Sequence, residues 1–220
     1  NIKDGSQLYA DTSSAPALVV GGDLNFTSGQ IAGDVYVGGN YTPTGTGTVT
    51  NGAVQSGAVA PINFDDEFDK LIDLAAELAL LPDNGTATDL WSTQHLVGAG
   101  SNDLADDLHV FNLDASDMLF SDYLLSEVDK GDTILFNVSG TDIATSWGNF
   151  AGSDNSLFDF SENILFNFYE AETLTINAAM YGSILAPKAS IEAPHGVIWG
   201  QVIAESWHGN TQINDNPFVS

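Results

Sequence analysis

The sequence predicts a mainly β protein, a β-solenoid with one long α-helix packed along its flank. Three observations carry this. Short apolar pieces alternate with single small or polar residues, and turn residues recur every few positions, most clearly from Asn163 to Phe218. A pattern G-x-I-x-G-x-V-x-(V/A) occurs twice, at Gly29–Val37 and at Gly196–Ala204, near opposite ends of the chain. Two such copies are expected of equivalent rungs in one stacked β structure. A single stretch, Pro61–Leu81, breaks the β pattern with helical periodicity.

In chain order, Asn1–Pro16 is a polar lead-in. Ala17–Phe26 reads as two short strands separated by a Gly21-Gly22 kink. Gly29–Val37 is the first rung, and Gly38-Gly39-Asn40 a tight turn. Thr42, Thr44, Thr46, Thr48 and Thr50 then alternate, with Gly45 and Gly47 on the opposite face. That stretch reads as a strand or as a flexible linker. In Pro61–Leu81, Phe64, Phe68, Leu71, Ile72, Ala75, Leu78 and Ala79 form one apolar stripe, so a helix must lie along a neighbouring surface. Asn63 is placed to cap it. Asp65, Asp66 and Glu67 sit where the helix dipole favours negative charge, and Pro82-Asp83-Asn84-Gly85 ends it.

Residues 83–105 read as a polar loop. Leu108–Leu113 is a strand, Asp114–Asp117 a turn, and the segment to Lys130 helix or loop. Thr133–Val138 is a strand, and Thr141–Ser156 a second loop carrying Trp147. Ile164–Phe168, Thr173–Ile176, Ser183–Ala186 and Ser190–Glu192 are further strands before the second rung. There, Ile198, Gly200, Val202 and Ala204 fall on one side of an extended strand, and Trp199 points to the other. Covering by the helix is the expected fate of Trp199. The lumen is expected to hold Ile31, Val35, Ile184, Ile198 and Val202. No linker divides the chain, so residues 1–220 read as one domain.

Bulk composition narrows the function. Across 220 residues the hydrophobic content is 43%, enough for a folded core. Net charge is −26, with 30 acidic residues against four lysines (Lys3, Lys70, Lys130, Lys188) and no arginine. Phosphate binding needs clustered Lys/Arg, so nucleic acid is excluded as a partner, and an anionic membrane surface is disfavoured. Such an acidic excess calls for screening or bound counter-ions, as seawater or millimolar calcium would supply. No cysteine is present, so neither disulfides nor thiol chemistry enter. No apolar run approaches the length of a membrane-spanning helix. The sequence opens at Asn1 without a signal peptide and reads as a domain excised from something longer.

Several runs resemble, in order, the choice-of-anchor A domain of bacterial surface proteins. They are Val19–Leu24, Ile31–Asn40, the helix from Phe64, Val110-Phe111-Asn112, Asn137–Gly140, Asn163–Phe168, Ala171–Ile176, Gly182–Ala189, Gly200–Ser206 and Asn216-Pro217-Phe218. The run Gly182–Ala189 followed by Gly200–Ser206 is the most specific part. The resemblance covers nearly the whole chain. It implies a cell-surface or secreted adhesin module, of a kind sometimes described as collagen-binding, on a β-solenoid similar in shape to the bacterial ice-binding fold. Family members often carry a Glu-Leu-His-Asn-like run before the final Phe, where this chain has Gln212–Asp215. The acidity and lack of arginine look like the long calcium-loaded adhesins of Gram-negative marine bacteria.

Candidate chemistry is sparse. The four histidines, His95, His109, His195 and His208, lack zinc-site spacing. Loop carboxylates at Asp103, Asp106 and Asp107, at Asp114 and Asp117, and at Asp129 and Asp132 are of the hard-oxygen type that Ca²⁺ takes, without a D-x-D-x-D-G loop. A solvated acidic surface accounts for the same residues. Trp91, Trp147, Trp199 and Trp207 are the aromatic candidates, and loop-borne Trp147 is the preferred ligand contact. One alternating threonine stretch is a single rung, short of the repeated hydroxyl rows that ice binding needs. No catalytic residue is assigned. The expectation is a non-enzymatic, monomeric adhesin module outside the cell. It either binds a host or surface ligand (glycan, collagen or other protein) or holds adjacent adhesin domains as a rigid scaffold. The alternative is a carbohydrate-active enzyme on a β-helix.

Overall fold

Both copies of the glycine pattern fold as a strand, a glycine corner and a second strand in the computed structural model of the chain. The structure describes residues 7–9, 16–57, 59, 61–91, 93–99, 108–120, 122–146, 157–209, 211–214 and 216–219, with the side chains of 7–9 and 122 outside the description. The chain divides into two compact units, Asn1–Phe68 and Asp69–Ser220.

The first unit contains β1 (Gln7–Tyr9), β2 (Leu18–Val20), β3 (Leu24–Phe26), β4 (Gln30–Ala32), β5 (Val35–Val37), β6 (Tyr41–Pro43), β7 (Thr48–Thr50) and β8 (Val54–Ser56). All pairings are parallel, in sheets ordered β1–β4–β7, β2–β5–β8 and β3–β6. Leu18 pairs with Val35 and Val35 with Val54, so the chain returns to each sheet after one coil. Leu24, Phe26, Ile31, Val35 and Val37 point inward and form a core. Glycine is required where coils stack: a Cβ on Gly38 would lie 2.3 Å from the Gly21 carbonyl oxygen, and one on Gly52 2.1 Å from the Gly33 carbonyl carbon. Asp23 and Asp34 join successive coils through their carboxylates, Asp23 accepting from the Asn40 amide at 2.7 Å and Asp34 from the Ala53 amide at 2.9 Å.

The threonine run is neither one strand nor a linker. It supplies β6, a bend at residues 44–47 and β7, so its hydroxyls turn a corner instead of lining one face.

The helix α1 (Phe64–Leu78) is shorter than its pattern, because Asn63 starts it through its carbonyl and two tight turns close it at Leu80 and Leu81. Of residues 61–80, those withdrawn from solvent are Phe64, Phe68, Leu71, Ile72, Ala75, Leu78 and Ala79, the predicted stripe.

The second unit continues with β9 (Thr86–Leu90), β10 (Thr93–Val97), β11 (Leu108–Asp114), β12 (Asp122–Ser126), β13 (Thr133–Ser139), β14 (Asp142–Thr145), β15 (Ile164–Asn167), β16 (Thr173–Ile176), β17 (Met180–Tyr181), β18 (Ser183–Ala193), β19 (Val197–Trp199), β20 (Val202–Gly209) and β21 (Gln212–Asn214). Two short 3-10 segments, Asp117–Leu119 and Leu157–Asn163, interrupt them. A seven-stranded parallel sheet runs β11–β13–β15–β18–β16–β14, with β20 also on β18. A parallel sheet β17–β19–β21 and a mixed sheet β12–β10–β9 complete the unit.

Register in the large sheet is legible as a repeated tripeptide. Val110-Phe111-Asn112, Leu135-Phe136-Asn137 and Leu165-Phe166-Asn167 align residue on residue. The phenylalanines stack inside, with ring centroids 5.4 and 5.1 Å apart. Side chains alternate across a strand, so each asparagine points to the opposite face. There Asn167 donates to Asn137 Oδ1 (2.8 Å) and Asn137 to Asn112 Oδ1 (2.9 Å). The same amides reach the end of α1: Asn167 to the Ala75 carbonyl (2.8 Å), Asn137 to Leu78 (2.9 Å) and Asn112 to Leu81 (3.1 Å). This asparagine row gives the Ala75 and Leu78 carbonyls a second donor beside the Ala79 and Leu81 amides, supplies one to the Leu81 carbonyl beyond the helix end, and so ties the helix to the sheet.

Several local expectations are corrected. Much of the loop expected over residues 83–105 is the antiparallel hairpin β9–β10. The segment after Asp117 is a 3-10 turn and strand β12, stabilised by parallel pairing with β10 and not by local propensity. The loop expected at Thr141–Ser156 begins as β14, and Trp147 lies outside the described residues. Pro187 does not divide β18: pairing with β20 breaks between Ala186 and Ser190, where the missing proline N–H costs no ladder bond. The second rung is not one strand, since the chain turns at Gly200, whose Cβ would lie 2.3 Å from the Gly182 carbonyl oxygen. Ile31, Val35, Ile184 and Ile198 are buried as expected, and Val202 is partly buried against the core.

Candidate functional site

The mixed sheet carries the most exposed apolar group among the described residues. Its hairpin pairs Leu90 with Thr93, Thr88 with His95 and Thr86 with Val97. Inward-facing Gln94 and Leu96 on β10, and Tyr123 and Leu125 on β12, root it in the core, whereas all five residues of β9 are exposed. The tip is Trp91, 100% exposed. Its φ is 64°, and among the described non-glycine residues only Asn51 at 57° and Glu127 at 55° share that sign. Asparagine tolerates that region well and tryptophan poorly. A strained, fully solvated indole gains nothing for folding, and such an outlier points to function.

The other tryptophans are accounted for differently. Trp199 is half-buried with its ring edge-on to Phe158 at 5.2 Å, so the 3-10 segment Leu157–Asn163 covers it where the long helix was expected. Trp207 is 36% exposed on β20 beside its partner Ile191.

Behind the hairpin, Gln94 donates to Asp117 Oδ1 (3.0 Å) and Asp117 Oδ2 accepts the Asp114 amide (2.8 Å). Asp114 Oδ1 accepts from the Ser116 amide at 2.7 Å and from its hydroxyl. These bonds hold the Asp114 carboxyl below its ordinary range. Burial, helped by the charges of Asp114 and Asp89, pushes Asp117 up. Tyr123, whose hydroxyl donates to the Asp117 carbonyl, is pushed up by burial. Asp114 and Asp117 border an open polar groove of about 410 Å³ with Asn112, Asn137, Ser139 and Tyr169.

The remaining candidate ligands of Ca²⁺ are tied to the protein. Asp132 Oδ2 accepts both the Asp129 amide (2.7 Å) and Nε2–H of buried His109 (2.9 Å). The Ala99 amide donates to His109 Nδ1 at 3.1 Å, which fixes the neutral tautomer with its proton on Nε2. Asp103, Asp106 and Asp107 lie outside the described residues. Among the described residues no group of three or more His, Asp or Glu is placed to hold a metal ion. His95 bonds Ser126 Oγ at 2.9 Å and exposed His208 bonds Glu192 at 2.8 Å.

Sequence reasoning singled out Trp147 and missed the hairpin. The sequence between Leu90 and Thr93 carries no Asn-Gly or Asp-Gly, the usual hairpin signal. Alternation of inward Gln94 and Leu96 with Thr93, His95 and Val97 is the trace that was available.

Comparison with known proteins places these features. A family model described as "Putative Ice-binding-like adhesive domain" matches residues 1–215. The chain belongs to that family of adhesive domains. The crystal structure of a glycosylated ice-binding protein from an Arctic yeast is similar at 17% sequence identity, covering 92% of this chain and 90% of that one, with a TM-score of 0.46. Among curated proteins, none matches.

Proposed function

We propose that this chain is a non-enzymatic, ligand-binding module of a large bacterial cell-surface adhesin of the choice-of-anchor A kind. In this reading residues 1–220 form one β-solenoid domain, monomeric and outside the cell. Its ligand is a glycan, collagen or other protein displayed on a host or surface. The family's adhesive character supports the class. The parallel coils, returning to the same sheets in each unit, support the solenoid. Among the described residues no helix is long and apolar enough to cross a membrane.

The observation that carries binding over scaffolding is Trp91, wholly exposed at the tip of a hairpin rooted in the core. Aromatic side chains on rigid supports concentrate binding energy. Trp147 is the second proposed contact, and calcium at the loop carboxylates is proposed as a structural aid. The test is binding of the isolated domain to a panel of glycans, collagens and peptides, in calcium and then in chelator. Saturable binding, weakened about tenfold or more by Trp91→Ala or Trp147→Ala, supports the reading. Silence across the panel from folded protein overturns it in favour of a scaffold that presents neighbouring domains.

One observation favours a carbohydrate-active enzyme instead: Asp114 and Asp117 share a groove and are pushed in opposite directions, as an acid and base pair would be. Against it, both Asp117 oxygens already accept bonds from Gln94 and the Asp114 amide. Polysaccharide turnover abolished by Asp117→Asn would establish that reading, and its absence with the wild-type protein would remove it.

A further inference from the structure

Resting on the adhesive reading, we propose that the open edge of β9 receives an extended, lysine- or arginine-bearing segment of a partner polypeptide as a fourth strand, with Trp91 clasping one end. Among the described residues β9 pairs with β10 alone, at the end of the sheet β12–β10–β9. Its five residues, TATDL, are exposed on both faces. Natural edge strands are protected by lysine, proline, a bulge or a cover. β9 carries no lysine, proline or bulge: it pairs with β10 in unbroken register, all five of its residues are exposed, and its one charge, Asp89, stands opposite buried Gln94 and repels an acidic strand but not a basic one. An exposed edge of this length is the platform on which peptides add by backbone hydrogen bonds.

The occupant follows from charge. A second copy would bring another −26 against this one, and Asp89 against an acidic strand. Asp89 sits on β9 close enough to influence Asp117 and Tyr123 behind it. This chain has no arginine and four lysines with which to neutralise such a patch. A basic strand supplies the missing charge opposite Asp89. Trp91 offers the same basic side chains a π face, and Leu90, 46% exposed, an apolar contact.

The probe is a capped peptide of alternating lysine and threonine, with a glutamate–threonine peptide as control. Binding is followed by ¹⁵N chemical shifts and amide hydrogen exchange of the intact domain. The lysine peptide is expected to slow exchange at amides within Thr86–Leu90, to weaken with added salt, and to lose about tenfold or more in affinity in Trp91→Ala. The control peptide should not bind. N–H groups alternate along β9 between β10 and the open side. Of Ala87→Pro and Thr88→Pro, one therefore leaves the hairpin's own bonds intact. The variant that keeps the wild-type melting temperature should lose the peptide. Binding that survives in it, or protection appearing elsewhere, overturns the proposal. Glycan or collagen binding in the panel above would leave the adhesive reading standing while this one fails.

Discussion

Replacing Asn167 with aspartate tests the junction between helix and sheet most severely. Asn167 is fully buried, and its amide donates at 2.8 Å to both the Ala75 carbonyl and Asn137 Oδ1. In Asn167→Asp the donor group becomes a carboxylate oxygen facing two acceptors, the Ala75 carbonyl and Asn137 Oδ1. An uncompensated buried charge costs about 3–5 kcal/mol. In a chain of 220 residues each kcal/mol lowers the melting temperature by about 2–4 °C, so the variant should melt about 6–20 °C lower at pH 7. Burial raises the pKa of the new carboxyl. As pH falls through that raised value the group takes a proton, can donate to Ala75 again, and the deficit should shrink. Asn167→Leu is the control. Its neighbour in register is buried Leu185, so an apolar side chain is compatible with that face, and the change also removes the Asn167 oxygen, which lacks a protein partner. The control should lose about 1–3 kcal/mol with no such pH dependence. Calorimetry at pH 7 and pH 4 reads both. An Asn167→Asp variant melting within about 1 °C of wild type at pH 7 would refute the asparagine row as the helix anchor.

Three further outcomes follow from the same geometry. Phe136 stacks between Phe111 and Phe166, so Phe136→Ala should cost about 3–5 kcal/mol, measurable by denaturant unfolding at unchanged fold. Asp114 has a lowered pKa in the fold, so its contribution is present above its ordinary value of 3.8 and is lost as pH falls through the lowered one. Asp114→Asn should therefore destabilise at pH 7 and match wild type in strong acid. Asp117 has the opposite sign: its raised pKa means its charge weighs against the fold at pH 7. Asp117→Asn should melt at or above wild type there, and that advantage should vanish below pH 3.8, where the carboxyl is neutral in both states. A melting series from pH 2 to pH 8 separates the two.

The apolar stripe of α1 was legible because helical periodicity is a property of residues within one element, and the solvent-shielded set reproduces it. The two G-x-I-x-G-x-V copies were legible as equivalents, since Gly29 and Gly33 adopt positive φ, and Gly196 and Gly200 a backbone approach too close for a side chain. Their geometry was misread, because period-2 alternation continues through a tight corner and does not announce it. Strand β12 and the hairpin β9–β10 were missed for a different reason: five-residue strands held by pairing carry little propensity of their own.

The sequence by itself determined the mainly β class, the α-helix with its solvent-shielded stripe, and the acidic balance of the chain, because composition and periodicity suffice for these. Tertiary structure alone decided that three asparagines, separated by whole coils, meet in one row beneath the helix. It alone decided that Trp91 stands in solvent while Trp199 is covered by Phe158. Stacked coils set each residue beside others distant in the chain. The partners that satisfy a polar group, or leave an aromatic one exposed, are therefore chosen by register between strands, which no local pattern encodes.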